Sequence, residues 1–111
     1  MTNEEINDLV AEYFFNWTRK DGVLMPLNFF SNPGEAPRVF RVPDYCDDIG
    51  KAWGVVEAMR AKFKFSLSNH DRFGYVAEFG LWSGTGGAYA TCESPGKAIC
   101  LAALKAIGLV K

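Results

Sequence analysis

The residues 42–63, VPDYCDDIGKAWGVVEAMRAKF, constrain the fold more than any other stretch. Ile49, Ala52, Trp53, Val56, Met59 and Phe63 recur at helical spacing, which places them on one stripe. Pro43, Asp44, Asp47 and Asp48 stand just ahead, where carboxylates favour a helix N-terminus. Immediately afterwards the period changes. In KFKFSLS, Phe63, Phe65 and Leu67 alternate with Lys62, Lys64 and Ser66, the pattern of a half-buried strand. A helix that runs almost directly into a strand nucleates a mixed α+β core.

The remaining elements fit around this pair. Thr2 and Glu5 have capping-box spacing, and Ile6, Leu9, Val10, Tyr13 and Trp17 follow at helical spacing, widened by Phe14. Asp21-Gly22 is the expected stop of that helix. Between Val23 and Val42 regularity is lost. Pro26 argues against a central strand, SNPGEAP is a loop, and RVFRV suits a short edge strand, which would make the sheet four-stranded.

After the central helix, strands are expected at Lys62–Ser68, Phe73–Trp82 and 87–92, with short connections SNHDRFG and SGTGG that imply an antiparallel meander. Ser94-Pro95 then opens a final apolar helix that stops at Gly108. The expected order is helix, irregular segment, helix, three strands, helix. The second sheet face carries Val76, Trp82 and Tyr89 beside Lys62, Lys64 and Glu78, and the first helix is the expected cover for it. The outcome is an α/β/α sandwich in a single domain: helix and irregular segment over 1–41, αβββα core over 42–111.

Two of these motifs resemble a family of small phage and prophage proteins, the phage ABA sandwich domain family. One is PDYCDDIGKAWGVVEAMR, through Pro43, Tyr45, Asp48, Ile49, Ala52, Trp53, Val55, Val56 and Glu57; the other is the closing helix SPGKAICLAALKAIG. The likeness covers Val42 to Gly108. It implies a three-layer helix–sheet–helix sandwich without an established activity. Cys46 departs from the pattern, standing where a serine, the better helix cap, is expected.

Composition limits the chemistry. With 111 residues, 49% of them hydrophobic, the chain can bury a core without metal or disulfide. A formal charge of −1 supplies no global attraction for nucleic acid or anionic lipid. The three cysteines Cys46, Cys92 and Cys100 are an odd number without close spacing, and MTNEEINDLV is no signal peptide, so free thiols in a reducing bacterial cytoplasm are expected. No run is apolar enough to span a bilayer.

Catalytic constellations are absent from the sequence pattern. The single histidine, His70, falls in a hairpin connection, and Cys46 or Cys92 would need it beside them to act as nucleophiles. Asp44, Asp47 and Asp48 suit helix-start stabilisation better than a cation site. The glycines of Ser83–Gly87 lack the lysine and following helix of a phosphate loop. No catalytic residue, metal or cofactor is expected.

Binding is the expected mode of action, toward a host bacterial protein such as a defence component, or toward a small ligand. His70, Arg72 and Thr85 are candidate binding-loop residues. The alternative is a nucleic-acid module, because αβββα is also the order of the double-stranded RNA-binding fold. It would use Arg60, Lys62, Lys64 and Lys97, with Arg72 close to the first three across the hairpin. The apolar final helix is compatible with a homodimer.

Overall fold

In a computed structural model, residues 1–20, 22–26, 41–72, 74–82, 84 and 87–110 are described. The suggested fourth strand at 38–42, apart from Arg41 and Val42, lies outside them, as do the loop SNPGEAP, Thr85 and most of the SGTGG tip.

Helix α1 (Asn3–Phe14) begins as its sequence directs. The Glu5 backbone N–H donates to Thr2 Oγ1 at 3.2 Å, and the Thr2 N–H donates to Glu5 Oε1 at 3.2 Å. Two otherwise orphaned donors are thereby satisfied. The helix ends well before Asp21-Gly22. Asn16 takes the left-handed conformation (φ 60°), and the N–H groups of Phe15 and Trp17 both turn back to the Ala11 carbonyl. Gly22 instead lies between Lys20 and Val23, which pair in a small antiparallel ribbon of β1 (Thr18–Lys20) and β2 (Val23–Met25). Pro26 follows directly and is consistent with its exclusion from a central strand.

Helix α2 (Ile49–Met59) is capped by Asp48, whose Oδ1 accepts from the N–H groups of Gly50 (3.0 Å) and Lys51 (3.3 Å). Its buried stripe is Ala52, Val55, Val56 and Met59. Ile49 and Trp53, expected inside, are rotated toward solvent, and Trp53 meets the ring edge of Phe65 at 5.6 Å.

The meander consists of β3 (Phe63–His70), β4 (Gly74–Leu81) and β5 (Gly87–Cys92), in the order β3-β4-β5 and antiparallel throughout. Register puts Phe65 opposite Phe79 and Phe79 opposite Ala88, with Leu67, Ala77 and Ala90 in the next row. Because side chains alternate, these residues share one face. Helix α3 (Pro95–Ala106) covers that face across β4 and β5, and α2 lies beside it. Small residues on facing elements, Ala77 and Ala90 against Ala98, Ala102 and Ala103, allow close approach, and all five are buried. At its end, Leu109 N–H reaches the Leu104 carbonyl (2.9 Å) and Gly108 N–H that of Lys105 (3.1 Å), with Gly108 at φ 86°. This paired C-terminal closure needs a residue free to adopt positive φ.

The α+β sandwich expected from the sequence is present, with one correction of position. Helix α1 packs on α3 and, more lightly, on α2, not on the second sheet face. Ile6, Val10 and Ala11 are fully buried there, while Tyr13 points outward at 53% exposure. Among the described residues no helix covers the second face.

Candidate functional site

The helix-free face follows from strand alternation. It carries Lys64, Ser66, Ser68 and His70 from β3, Val76, Glu78 and Gly80 from β4 with Trp82 just beyond, and Gly87, Tyr89 and Thr91 from β5. Across the strands these form rows: Ser66 with Glu78 and Tyr89, then Lys64 with Gly80 and Gly87. Trp82 extends the pairing by one step, donating its N–H to the Lys62 carbonyl at 3.2 Å.

Two large aromatics stand open on this face, Trp82 at 58% exposure and Tyr89 at 64%. Trp82 is nonetheless held in place. Its indole Nε1 donates to the Arg60 carbonyl at 2.9 Å, and Lys64 Nζ lies 5.4 Å from the ring centroid, within cation–π range. Between Trp82 and Tyr89 the row of Gly80 and Gly87 leaves bare backbone. A depression of about 260 Å³ forms there, lined by Glu78, Gly80, Gly87, Ala88 and Tyr89. A second hollow of about 300 Å³ lies where α1, α2, β3 and the end of α3 meet, walled by Tyr13, Phe14, Met59, Phe63 and Ile107 with Lys62 at its edge.

The basic residues do not converge as the nucleic-acid alternative requires. Arg60, Lys62 and Lys64 are neighbours at one end of β3, but Arg60 is paired with Glu57 at 3.2 Å. Arg72 follows His70 at the opposite end, separated from Lys64 by roughly 20 Å of strand, so it is not close to that group. Lys97 sits in the first turn of α3, just after β5, whose Cys92 pairs with Tyr75 at the hairpin end. It is therefore on the helix side and at the far end from Lys64. His70 is exposed on the open face, whereas Cys92 faces the helices, and Thr85 lies outside the described residues.

The cysteines have a structural setting. Cys46 is not the cap of α2. It is fully buried at a crossing of three segments. Its N–H donates to Asn7 Oδ1 on α1 (3.1 Å), and its carbonyl accepts from Ser94 Oγ at the start of α3 (2.7 Å). Asn7 Nδ2 in turn donates to Asp44 Oδ1 at 3.2 Å. Burial pushes the Asp44 carboxyl up, but the hydrogen bonds from Asn7 and Asp47 prevail and hold it below its ordinary value. Gly96 makes the crossing possible, because a Cβ there would stand 2.6 Å from the Cys46 carbonyl oxygen. Tyr45 stacks on Phe15 with ring centroids 5.1 Å apart, and burial, followed by the nearby Cys100, raises its pKa to about 12.

The Cys46 thiol donates to the Asn3 carbonyl at 3.8 Å, and the nearby Cys100 thiol, one turn beyond Gly96, lowers the pKa of Cys46 while its own is raised by Cys46 and by burial. Burial also pushes the Cys92 thiol up. Among the described residues no three His, Cys, Asp or Glu side chains are placed to hold a metal ion. No helix among them is long and apolar enough to cross a membrane.

The residues that define the open face were visible in the sequence as a strand face, but their exposure was not. Trp82 and Tyr89 look like core aromatics by type, but no helix among the described residues covers them. Gly80 offered one signal: a glycine in the middle of an otherwise regular strand marks a bulge or a close approach.

No curated protein matches the sequence. A crystal structure of a phage protein from Bacillus cereus ATCC 14579 is similar in fold, with a TM-score of 0.73 and 23% identity, covering 100% of this chain and 92% of that one. The sequence model of the phage ABA sandwich domain matches residues 8–104 and so reaches back past Val42 into α1 and the ribbon. With the meander, the Pro43–Asp48 crossing and most of the closing helix inside that match, the chain belongs to the phage ABA sandwich domain family.

Proposed function

We propose that the chain is a non-enzymatic phage or prophage accessory protein that acts in the bacterial cytoplasm by binding a host protein through its helix-free sheet face. The host protein is for instance a defence component, and a small ligand is the other candidate target. The observation that carries this reading is the pair of exposed aromatics, Trp82 and Tyr89, on a surface that otherwise carries mainly hydroxyls and charges. Tryptophan and tyrosine supply large contact area at low entropic cost and dominate binding energy where they occur in interfaces. The Trp82 indole is already anchored to the Arg60 carbonyl, so little ordering remains to be done on association. A non-catalytic role is supported by dispersion of the reactive groups. His70 is solvent-facing, while Cys46 and Cys100 are buried against each other.

The test is capture from host lysate with the wild type and with Trp82→Ala/Tyr89→Ala, after circular dichroism has shown that both fold. A defined partner retained by the wild type and lost by the double variant is expected. Equal capture by both would remove the sheet face from the interaction. A second reading, nucleic-acid binding, draws support from Lys64 over the Trp82 ring with Lys62 adjacent. It predicts a salt-sensitive mobility shift that Lys62→Glu/Lys64→Glu abolishes.

A further inference from the structure

Gly80 lies in the central strand of the sheet, on the open face, and nothing in the fold requires a glycine there. Among the described residues a Cβ at this position would meet only Glu78 Oε1, at 4.0 Å, and the backbone is not in the positive-φ region. Its cross-strand partner Gly87 is different. Gly87 has φ 145°, and a Cβ there would stand 2.6 Å from the Phe79 carbonyl oxygen, so the approach of β5 to β4 depends on it. A strand-interior glycine without a steric role weakens a strand and contributes no packing. What Gly80 does is keep a side chain out of the row, so that the depression is floored by backbone.

The walls of that depression have a definite chemistry. Glu78 and Tyr89 are direct cross-strand partners, so a carboxylate and an aromatic ring flank one rim. Among the described residues Glu78 has no ion-pair partner, and the neighbouring Lys64 ammonium lies over the Trp82 ring on the other side of the row. A backbone floor, a carboxylate without an ion-pair partner among the described residues and an aromatic ring together match a planar cation. A guanidinium can stack on the ring while its N–H fork donates to the carboxylate. An ammonium, compact and strongly hydrated, would gain less from the same surfaces.

We infer that the trough over Gly80 and Gly87 receives an arginine side chain of the protein partner, held by Glu78 and Tyr89. This rests on the sheet face being the partner surface and specifies what that surface recognises. The probe is N-acetyl-arginine amide, titrated into the ¹⁵N-labelled full chain and followed through the Gly80 and Gly87 amides. Saturable shifts at both, with a dissociation constant on the order of millimolar, are expected. The neutral isostere N-acetyl-citrulline amide should leave them unmoved. Glu78→Gln should weaken binding by about tenfold, the loss of one charge-assisted contact. Gly80→Val, whose Cβ would lie 4.0 Å from the nearest described atom, should fold normally and abolish the shifts.

Unmoved Gly80 and Gly87 amides, equal shifts with the citrulline probe, or intact binding in folded Gly80→Val would each overturn the inference. Partner capture lost in Trp82→Ala but normal in Gly80→Val rejects the arginine trough while leaving the face as the interface. Arginine-probe binding with partner capture indifferent to both variants rejects the face instead.

Discussion

The two faces of β3-β4-β5 share strands and register but have been filled by opposite rules. On the covered face Phe63, Phe65 and Phe79 pack ring against ring, with Phe79 fully buried and 5.1 Å from Phe65. Small residues stand where α3 must approach, so each side chain there is chosen by volume. On the open face the large residues Trp82 and Tyr89 stand mostly in solvent, hydroxyls and charges fill most of the rows, and the middle position is a glycine the backbone does not need. The lesson is that one face answers to stability and the other does not, and substitutions should divide accordingly.

The largest expected effect is on the covered side. Phe79→Ala removes a fully buried ring and should cost ~3–5 kcal/mol in urea denaturation; a loss below about 1 kcal/mol would mean the faces are not so distinct. Next comes the crossing that joins the helices beneath that face. Asn7→Ala leaves the buried Cys46 N–H without its acceptor and should cost ~1–3 kcal/mol by the same measurement. The same region sets an alkaline limit. The Tyr45 pKa is raised from 10.0 to about 12, so the folded state holds its phenolic proton more tightly than the unfolded chain does. That contribution is complete below pH 10, and falls away as pH rises from 10 toward 12. Tyr45→Phe should flatten the decline in melting temperature across that window.

The open face should respond weakly or in the opposite sense. Gly80→Val should stabilise the protein by ~0.5–1 kcal/mol, because the glycine is an entropic cost without a steric return. Destabilisation would show that the fold does use it. Tyr89→Ala should change stability by no more than ~0.5 kcal/mol, since the ring is mostly in solvent. A larger loss would identify Tyr89 as a packing residue.

Local signals carried much of the architecture. The Thr2/Glu5 box, the Ser94-Pro95 start and the Gly108 stop each involve groups within a few residues of one another, and each formed as its spacing implied. The strand register followed from alternation between short connections. A glycine such as Gly22 suits a helix stop and a tight strand connection alike, and only the pairing of Lys20 with Val23 distinguishes them. Period alone puts Trp53 inside, whereas Val55 takes the buried position where α2 packs against α3. The open face was unreadable for a related reason. Exposure of Trp82 and Tyr89 depends on where α1 docks, a contact between segments far apart in sequence.

By itself, then, the amino-acid order determined which segments become helix or strand, where most of them start, and which strand residues share a side, because those outcomes depend on short-range geometry and the periods of 3.6 and 2. The tertiary structure alone decided that α1 would lie on α3 and α2, that Cys46 would sit at a crossing and not at a cap, and that one side of the meander would keep its aromatics in water. Apolar side chains specify that they should be covered but not by which partner, and shape complementarity among distant elements makes that choice.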